Sequence, residues 1–413
     1  MKILRITTAG SVDDGKSTLI GRLLYDTKSL PSDKVENIKK LSEQKGLDDL
    51  DLSLITDGLT AEREQGITID VAHIYFNTPK RKYIIADSPG HVEYTRNMVT
   101  GASNSDVFVI LIDARNGIIE QTKRHLFIAN LIGIQEVLFV VNKMDLVDYS
   151  EEVYNSIVAD LKQLTEKYEM TDRSLSFFPV SAKIGDNVLN VSQNTPWYEG
   201  PSLLDKLESI EITEQDEEKV RFDVQYVIRP HSDEFHDFRG YAGKLKSGAL
   251  KVGDEISVAQ SGLTSRIKSI RKYKTELNSC KEGDSVVLEL EDDIDVSRGD
   301  LLTNKLIEGK RAISSTICWL SKDELNPSTR YLLKHGTGQT AVKFSQVKAT
   351  LDIEALDFSE SELAVNVNSI AQVDLRSASP LFIESYRQNK ANGYFIIVDE
   401  VSNGTVAVGF SAS

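Results

Sequence analysis

Cysteine is almost absent: Cys280 and Cys318 are the only two among 413 residues. Two thiols cannot build a disulfide framework and their spacing matches no metal-ligand pattern, so both are expected to be buried packing residues. Long apolar runs are also missing. Nothing approaches the roughly 18–20 residues of a membrane-spanning helix. The start, Met1-Lys2-Ile3-Leu4-Arg5-Ile6, enters a strand-like pattern without the apolar core of a secretory signal. The expected location is cytoplasmic, with no membrane partner. Basic charge is in deficit too, with 48 Lys and Arg against 63 Asp and Glu and a net charge of −15. Proteins that grip phosphodiester backbones usually present basic surface, so this balance weighs against nucleic acid as a partner.

What is present is an ordinary globular composition, 40% hydrophobic and 27% charged, in a length that suggests about two or three domains. Apolar strand-like runs occur at Tyr83–Ala86, Val107–Ile112 and Val137–Val141, besides the short alternating strand at 3–8. Helix-like segments fall at 16–24, 91–102, 120–132 and 151–169. Continuous apolar strands alternating with helices predict a mostly parallel, doubly wound sheet covered on both faces. The pattern changes near 211, where the acidic stretch Glu211–Glu218 reads as a linker. Short alternating strands with Gly turns follow, as in Lys251-Val252-Gly253-Asp254 and Lys281-Glu282-Gly283-Asp284. Their spacing predicts small β-barrels. The expected organisation is an α/β P-loop domain at 1–212, then two all-β barrel domains at 220–304 and 306–413. Arg298-Gly299-Asp300 reads as strand-end turn chemistry.

The sharpest local signal is Gly10-Ser11-Val12-Asp13-Asp14-Gly15-Lys16-Ser17, followed by Thr18, between a predicted strand and a predicted helix. This is G-x-x-x-x-G-K-[ST] in the context the motif requires. Glycines let backbone N–H groups converge on phosphate oxygens, and helix N-terminal amides add positive potential. Lys16 would reach the β and γ phosphates, and the Ser17 hydroxyl would ligate Mg²⁺. Asp87 closes the strand at 83–86 and opens Asp87-Ser88-Pro89-Gly90-His91. A carboxylate at that strand end lies beside the phosphate loop, where it can hold Mg²⁺, and the Gly90 amide can approach the γ-phosphate.

Asn142-Lys143-Met144-Asp145 follows the strand ending at Val141. Asp145 can accept hydrogen bonds from both guanine N1–H and the exocyclic amine, whereas adenine would face that carboxylate with an acceptor. Asn142 and the Lys143 stem would brace and cover the base, and Ser181-Ala182-Lys183 would close over guanine O6. These elements in this order predict GTP as the nucleotide. Arg63-Glu64-Gln65-Gly66-Ile67-Thr68-Ile69 is the expected switch I, with Thr68 completing Mg²⁺ coordination and sensing the γ-phosphate. His91 is the candidate that orients the attacking water, because phosphoryl transfer depends on positioning and charge stabilisation. His73, His125 and His335 read as surface or packing residues. His231 and His236, with Asp233 and Asp237, read as a loop between barrel strands in preference to a metal cluster.

Together these residues resemble the elongation-factor-Tu-like translational GTPases, in which Thr68, His91, Val12 and Ile67 would occupy the switch and catalytic-gate positions. Within that superfamily the chain is similar to the large GTPase subunit of heteromeric sulfate adenylyltransferase, the CysN type. The residues behind this are Ala9–Asp26, Asp57-Gly58-Leu59, Tyr94–Ser103 and Asp237-Phe238-Arg239-Gly240-Tyr241-Ala242-Gly243. Asp14 and the Asp-Phe-Arg-Gly-Tyr run are the more specific of them, while the segment 230–236 looks longer than the family pattern. The resemblance implies GTP hydrolysis coupled to the reaction of ATP and sulfate to adenosine 5′-phosphosulfate and pyrophosphate. No Ser-Gly-Gly-x-Asp pyrophosphate loop occurs in the sequence, so adenylyl transfer is expected on a small partner subunit of the CysD type in a heterodimer or higher heteromer. No second phosphate loop of an adenylylsulfate kinase occurs either. The alternatives are an elongation factor carrying aminoacyl-tRNA and a stand-alone regulatory GTPase.

Overall fold

The computed structural model describes residues 3–44, 50–55, 72–88, 98, 102, 105–212, 219–230, 238–352, 355, 357–360 and 363–412. The chain divides into two compact units, Met1–Ile212 with Ile353–Leu356 and Thr213–Asp352 with Asp357–Ser413.

The first unit is built on six strands: β1 (Leu4–Ala9), β2 (Ala72–Asn77), β3 (Lys82–Asp87), β4 (Val107–Asp113), β5 (Glu136–Asn142) and β6 (Ser174–Pro179). Their spatial order is β2-β3-β1-β4-β5-β6. All neighbours are parallel except β2, which runs antiparallel to β3. Every residue of β4 is buried, as the unbroken apolar run requires of a strand covered on both faces. β2 lies at the edge and alternates instead, with His73, Tyr75 and Asn77 exposed and Phe76 buried against Tyr83. That half-buried pattern is why a search for continuous apolar strands passes over it.

Helices α1 (Lys16–Asp26), α2 (Ser32–Gln44), α3 (Glu120–Leu131) and α4 (Glu151–Lys167) lie between these strands, and α5 (Leu203–Ser209) follows β6. α1 buries Leu19, Ile20, Leu23 and Leu24 in the same core as Leu4, Ile6, Val109 and Leu138. Its Gly21 is required, since a Cβ there would overlap the backbone carbonyl of Leu52. The Ser150 hydroxyl caps α4 by accepting from the Val153 N–H, leaving fewer orphan donors in the first turn. Parallel pairing brings the C-terminal ends of β1, β3, β4 and β5 to one edge, with Thr8 opposite Asp87 and Asp113 opposite Asn142. β1 sits between β3 and β4, the point where strand order reverses and where open α/β sheets bind ligands.

The second unit holds two antiparallel β-barrels. One sheet runs from Arg221–Ile228 to Leu301–Thr303 and closes by pairing Glu255–Val258 with Thr264–Lys272. The other runs from Lys310–Trp319 to Thr405–Ser411 and closes by pairing Tyr331–His335 with Gly338–Asp352. Closure removes the exposed sheet edges that would otherwise recruit other chains. Cys280 and Cys318 are both buried, and neither is part of a disulfide.

A polar seam joins the barrels. Arg221 of the first, 3% exposed, places Nη2 2.9 Å from Glu384 Oε1 of the second. The other Glu384 oxygen accepts from Asn389 Nδ2 at 3.1 Å and Asn392 Nδ2 at 3.3 Å. His335 Nε2 lies 3.0 Å from the Asn392 carbonyl. Burial pulls the His335 imidazole down to about 4, helped by nearby Lys246.

Candidate functional site

The edge where the strands end is formed first by the loop after β1. Gly15, at φ +92°, is the N-cap of α1, and Asp13 also adopts a left-handed conformation at φ +69°. Glycine suits such a position because it carries no Cβ penalty. Lys16 is buried, and its Nζ donates to the Gly10 carbonyl at 2.9 Å and the Ser11 carbonyl at 3.3 Å. Burial pushes the Lys16 ammonium down, against the pull of Asp87, Asp14 and Asp13. Ser17 and Thr18 are half-buried in the first turn of α1, while Val12 is exposed. The Asp14 carboxylate folds beneath the loop and accepts the Ser11 N–H at 2.5 Å. Burial raises its pKa, and the Ser11 bond and the Lys16 charge oppose that rise.

Asp87 is 2% exposed at the end of β3 and accepts from Thr8 Oγ1 at 3.1 Å. It lies near enough to Lys16 for the two charges to interact. Ser88 is fully buried, with its N–H 3.3 Å from the Thr8 carbonyl. Pro89, Gly90 and His91, and Thr68 with the rest of 63–69, lie outside the described residues. So do His231, Asp233, His236 and Asp237.

The Asn142 amide links the loops after β5 and β6 to the phosphate loop. Asn142 Nδ2 donates to the Asp14 carbonyl at 2.7 Å, and Asn142 Oδ1 accepts the Ala182 N–H at 2.9 Å. Asn142 thus ties the two loops to each other. The Met144 side chain is buried and its N–H donates to the Val180 carbonyl at 3.1 Å. Asp145 Oδ1 accepts the Ser181 hydroxyl at 2.6 Å, which fixes the carboxylate's plane. Lys183 is exposed, and its carbonyl and that of Ala182 both accept from the Arg22 guanidinium.

Two residues escaped the sequence reading. Asp113 ends β4 and is 2% exposed, with Oδ2 2.8 Å from Lys143 Nζ. Arg115 grips the same carboxylate in bidentate fashion, at 3.0 Å and 2.6 Å. Burial alone would push Asp113 up; the Arg115 and Lys143 bonds outweigh it and hold the carboxyl below the usual range. The missed signal was an acid closing an unbroken apolar strand, the same signal that marks Asp87.

His125, on α3, is 1% exposed, and its Nδ1 has no hydrogen-bond partner among the described residues. Burial drops its pKa to about 3, and the Lys16 and Arg124 charges act in the same direction. A group depressed in this way binds its proton in the unfolded chain first. Stability is therefore full above about pH 6.5 and falls as pH drops toward 3, by up to about 1.4 kcal/mol per unit. Replacing His125 with Gln is expected to flatten that dependence, as read by urea unfolding at about pH 7, 6 and 5. Identical pH dependence in the two proteins would contradict it.

A strand end, a glycine loop, a helix and the loops after β5 and β6 converge here. The family model "Elongation factor Tu GTP binding domain" matches residues 1–213, and "GTP-eEF1A C-terminal domain-like" matches 312–411. "Sulfate adenylyltransferase subunit 1" of Colwellia psychrerythraea is 45% identical, over 99% of this chain and 87% of its own. This chain belongs to the sulfate adenylyltransferase subunit 1 family. The Bacteroides fragilis member is 44% identical, over 98% of this chain and 85% of its own. "Bifunctional enzyme CysN/CysC" of Mycobacterium tuberculosis is 44% identical over 98% of this chain, which spans 67% of that longer protein. Family membership makes the chain an enzyme subunit with a guanine-nucleotide-binding GTPase domain. No helix among the described residues is long and apolar enough to cross a membrane.

Proposed function

We propose that this chain is the GTP-hydrolysing subunit of a heteromeric sulfate adenylyltransferase. It couples GTP hydrolysis to the conversion of ATP and sulfate into adenosine 5′-phosphosulfate and pyrophosphate. The observation that carries the reading is the bridge from Asn142 to both Asp14 and Ala182. It joins a phosphate loop to a guanine-selective loop in a chain 44–45% identical to sulfate adenylyltransferase subunit 1 proteins over nearly its whole length.

In this reading the amides of residues 13–18 and Lys16 hold the phosphates. Asp145 selects guanine, Lys143 covers it, and Ser181, Ala182 and Lys183 close over O6. Lys16 exchanges its bonds to the Gly10 and Ser11 carbonyls for charge-assisted bonds to phosphate, which are stronger. His91 orients the attacking water and Thr68 senses the γ-phosphate. Hydroxyl and carboxylate oxygens are what Mg²⁺ prefers, and the Ser17 hydroxyl with the buried Asp87 carboxylate offers that donor set beside Lys16. Ser17, Thr68 and Asp87 would hold the ion, which supplies charge neutralisation on the phosphates when bound. The proposed domain limits are 1–212, 220–304 and 306–413.

Adenylyl transfer then belongs to a small partner subunit of the CysD type, and the complex works in the cytoplasm. Energy passes between subunits only if the partner binds the GTP-ordered and GDP-relaxed switches with different affinity. The test is steady-state GTP hydrolysis by the chain alone, with the small subunit, and with that subunit plus ATP and sulfate. Turnover is expected to rise only in the complete mixture, with phosphosulfate formed alongside. Hydrolysis indifferent to the partner and sulfate, together with tight aminoacyl-tRNA binding, would instead favour an elongation-factor role.

A further inference from the structure

We propose that Asp113 is a positioning residue for guanine nucleotide, acting through Lys143 to hold the phosphate loop and the base-side loop in one geometry. Lys143 Nζ is placed between two oxygens. It donates to the Asp13 carbonyl in the phosphate loop and sits 2.8 Å from Asp113 Oδ2 at the end of β4. The residue itself adopts a left-handed conformation at φ +63°. Its side chain therefore spans from the base-side loop to the phosphate loop, with Asp113 fixing its far end.

The carboxylate is well prepared for that task. It is 2% exposed, and a buried charge persists only when its oxygens are paired. Arg115 Nε and Nη2 occupy both oxygens, and the Arg115 backbone N–H adds a bond of 2.9 Å. This grip leaves Asp113 little rotational freedom, so the position of Lys143 Nζ is set by β4 and not by solvent. β4 pairs with β1 on one side and β5 on the other. The strands that carry the two nucleotide loops flank the strand that carries the anchor. Without the anchor, Lys143 keeps its charge but gains rotamer freedom, and the Asp13 carbonyl loses a fixed donor just where the backbone turns left-handed. The expected consequence is weaker nucleotide binding through faster release, with no change in which base is chosen, because Asp145 is held separately by Ser181.

This inference rests on guanine nucleotide binding by the family, so the wild-type protein is measured first. Failure of the wild-type to bind a fluorescent GDP analogue would remove the binding assignment, and with it the role of Asp113. Given wild-type binding, Asp113→Asn is compared with Lys143→Ala and with the double variant, each with the full chain. Asp113→Asn is expected to raise the GDP dissociation rate and Kd at least about tenfold, to raise KM for GTP more than it lowers kcat, and to leave the GTP-to-ATP preference intact. Because the two residues act as a unit, the double variant is expected to bind no more weakly than Lys143→Ala alone, a non-additivity that contact between sites produces. Fully additive losses would show that Asp113 serves the fold alone, and an unchanged dissociation rate would overturn the proposal directly. Circular dichroism and thermal midpoints of all variants separate loss of binding from loss of folding.

Discussion

Gly15→Ala is expected to weaken guanine nucleotide binding by at least about a hundredfold while leaving both barrels folded. Two costs combine. At φ +92° any residue with a Cβ is strained, by roughly 1–2 kcal/mol. The new Cβ would also overlap Asn142 Nδ2, and Asn142 is rooted at the end of the buried strand β5, so it cannot simply retreat. Displacing it breaks the bonds to Asp14 and Ala182, leaving buried groups unpaired at roughly 1–3 kcal/mol each. The total, roughly 3–8 kcal/mol, corresponds to a loss of about two to six decades if it falls on the nucleotide-binding geometry. Titration with a fluorescent GDP analogue, beside circular dichroism, reads both halves of the expectation. A folded variant that binds within tenfold of wild-type would refute it.

Asp145→Asn is expected to turn the base preference from guanine to xanthine. The carboxylate offers two acceptors to the two donors on guanine's N1 and exocyclic amine. An amide offers one acceptor and one donor, so its NH₂ meets guanine's amine donor to donor. Two charge-assisted bonds at roughly 1.5–3 kcal/mol each are at stake, which predicts a GTP affinity about 10²–10⁴ times weaker. Xanthine has a carbonyl where guanine has the amine, and so restores the match. The Ser181 hydroxyl, 2.6 Å from Oδ1, can still donate to the amide oxygen and hold the side chain in plane. Competition of GTP and XTP against a labelled nucleotide decides it. Continued preference for GTP in the folded variant would place the base elsewhere.

The phosphate loop was legible because its chemistry is local: Gly15 and Lys16 act through backbone conformation and a single side chain within eight residues. The placement of Asp87 beside Lys16 was legible as well, since parallel strands bring their C-terminal ends together and the register sets Asp87 opposite Thr8. Asn142 was read for its contact with a base, yet its bridge between two loops needed the structure, because both partners are remote in sequence. Asp113 was passed over since an acid after an apolar run also reads as an ordinary strand stop. β2 was missed because it is an antiparallel edge strand with alternating exposure. The buried seam between the barrels was invisible too: periodicity reports which face is inside a barrel, and says nothing of which barrel meets which.

That seam has a consequence for how the second unit can be divided. An apolar contact tolerates sliding, whereas Arg221, Glu384, Asn389 and Asn392 meet through bonds of fixed direction. They behave like a key in its lock, satisfied in one alignment only. A chain severed after Thr303 would leave the Arg221 guanidinium, 3% exposed, without its carboxylate. The first barrel is thus half of a matched pair, and a truncated product lacking the second is expected to melt early or to seek another acidic surface in its place.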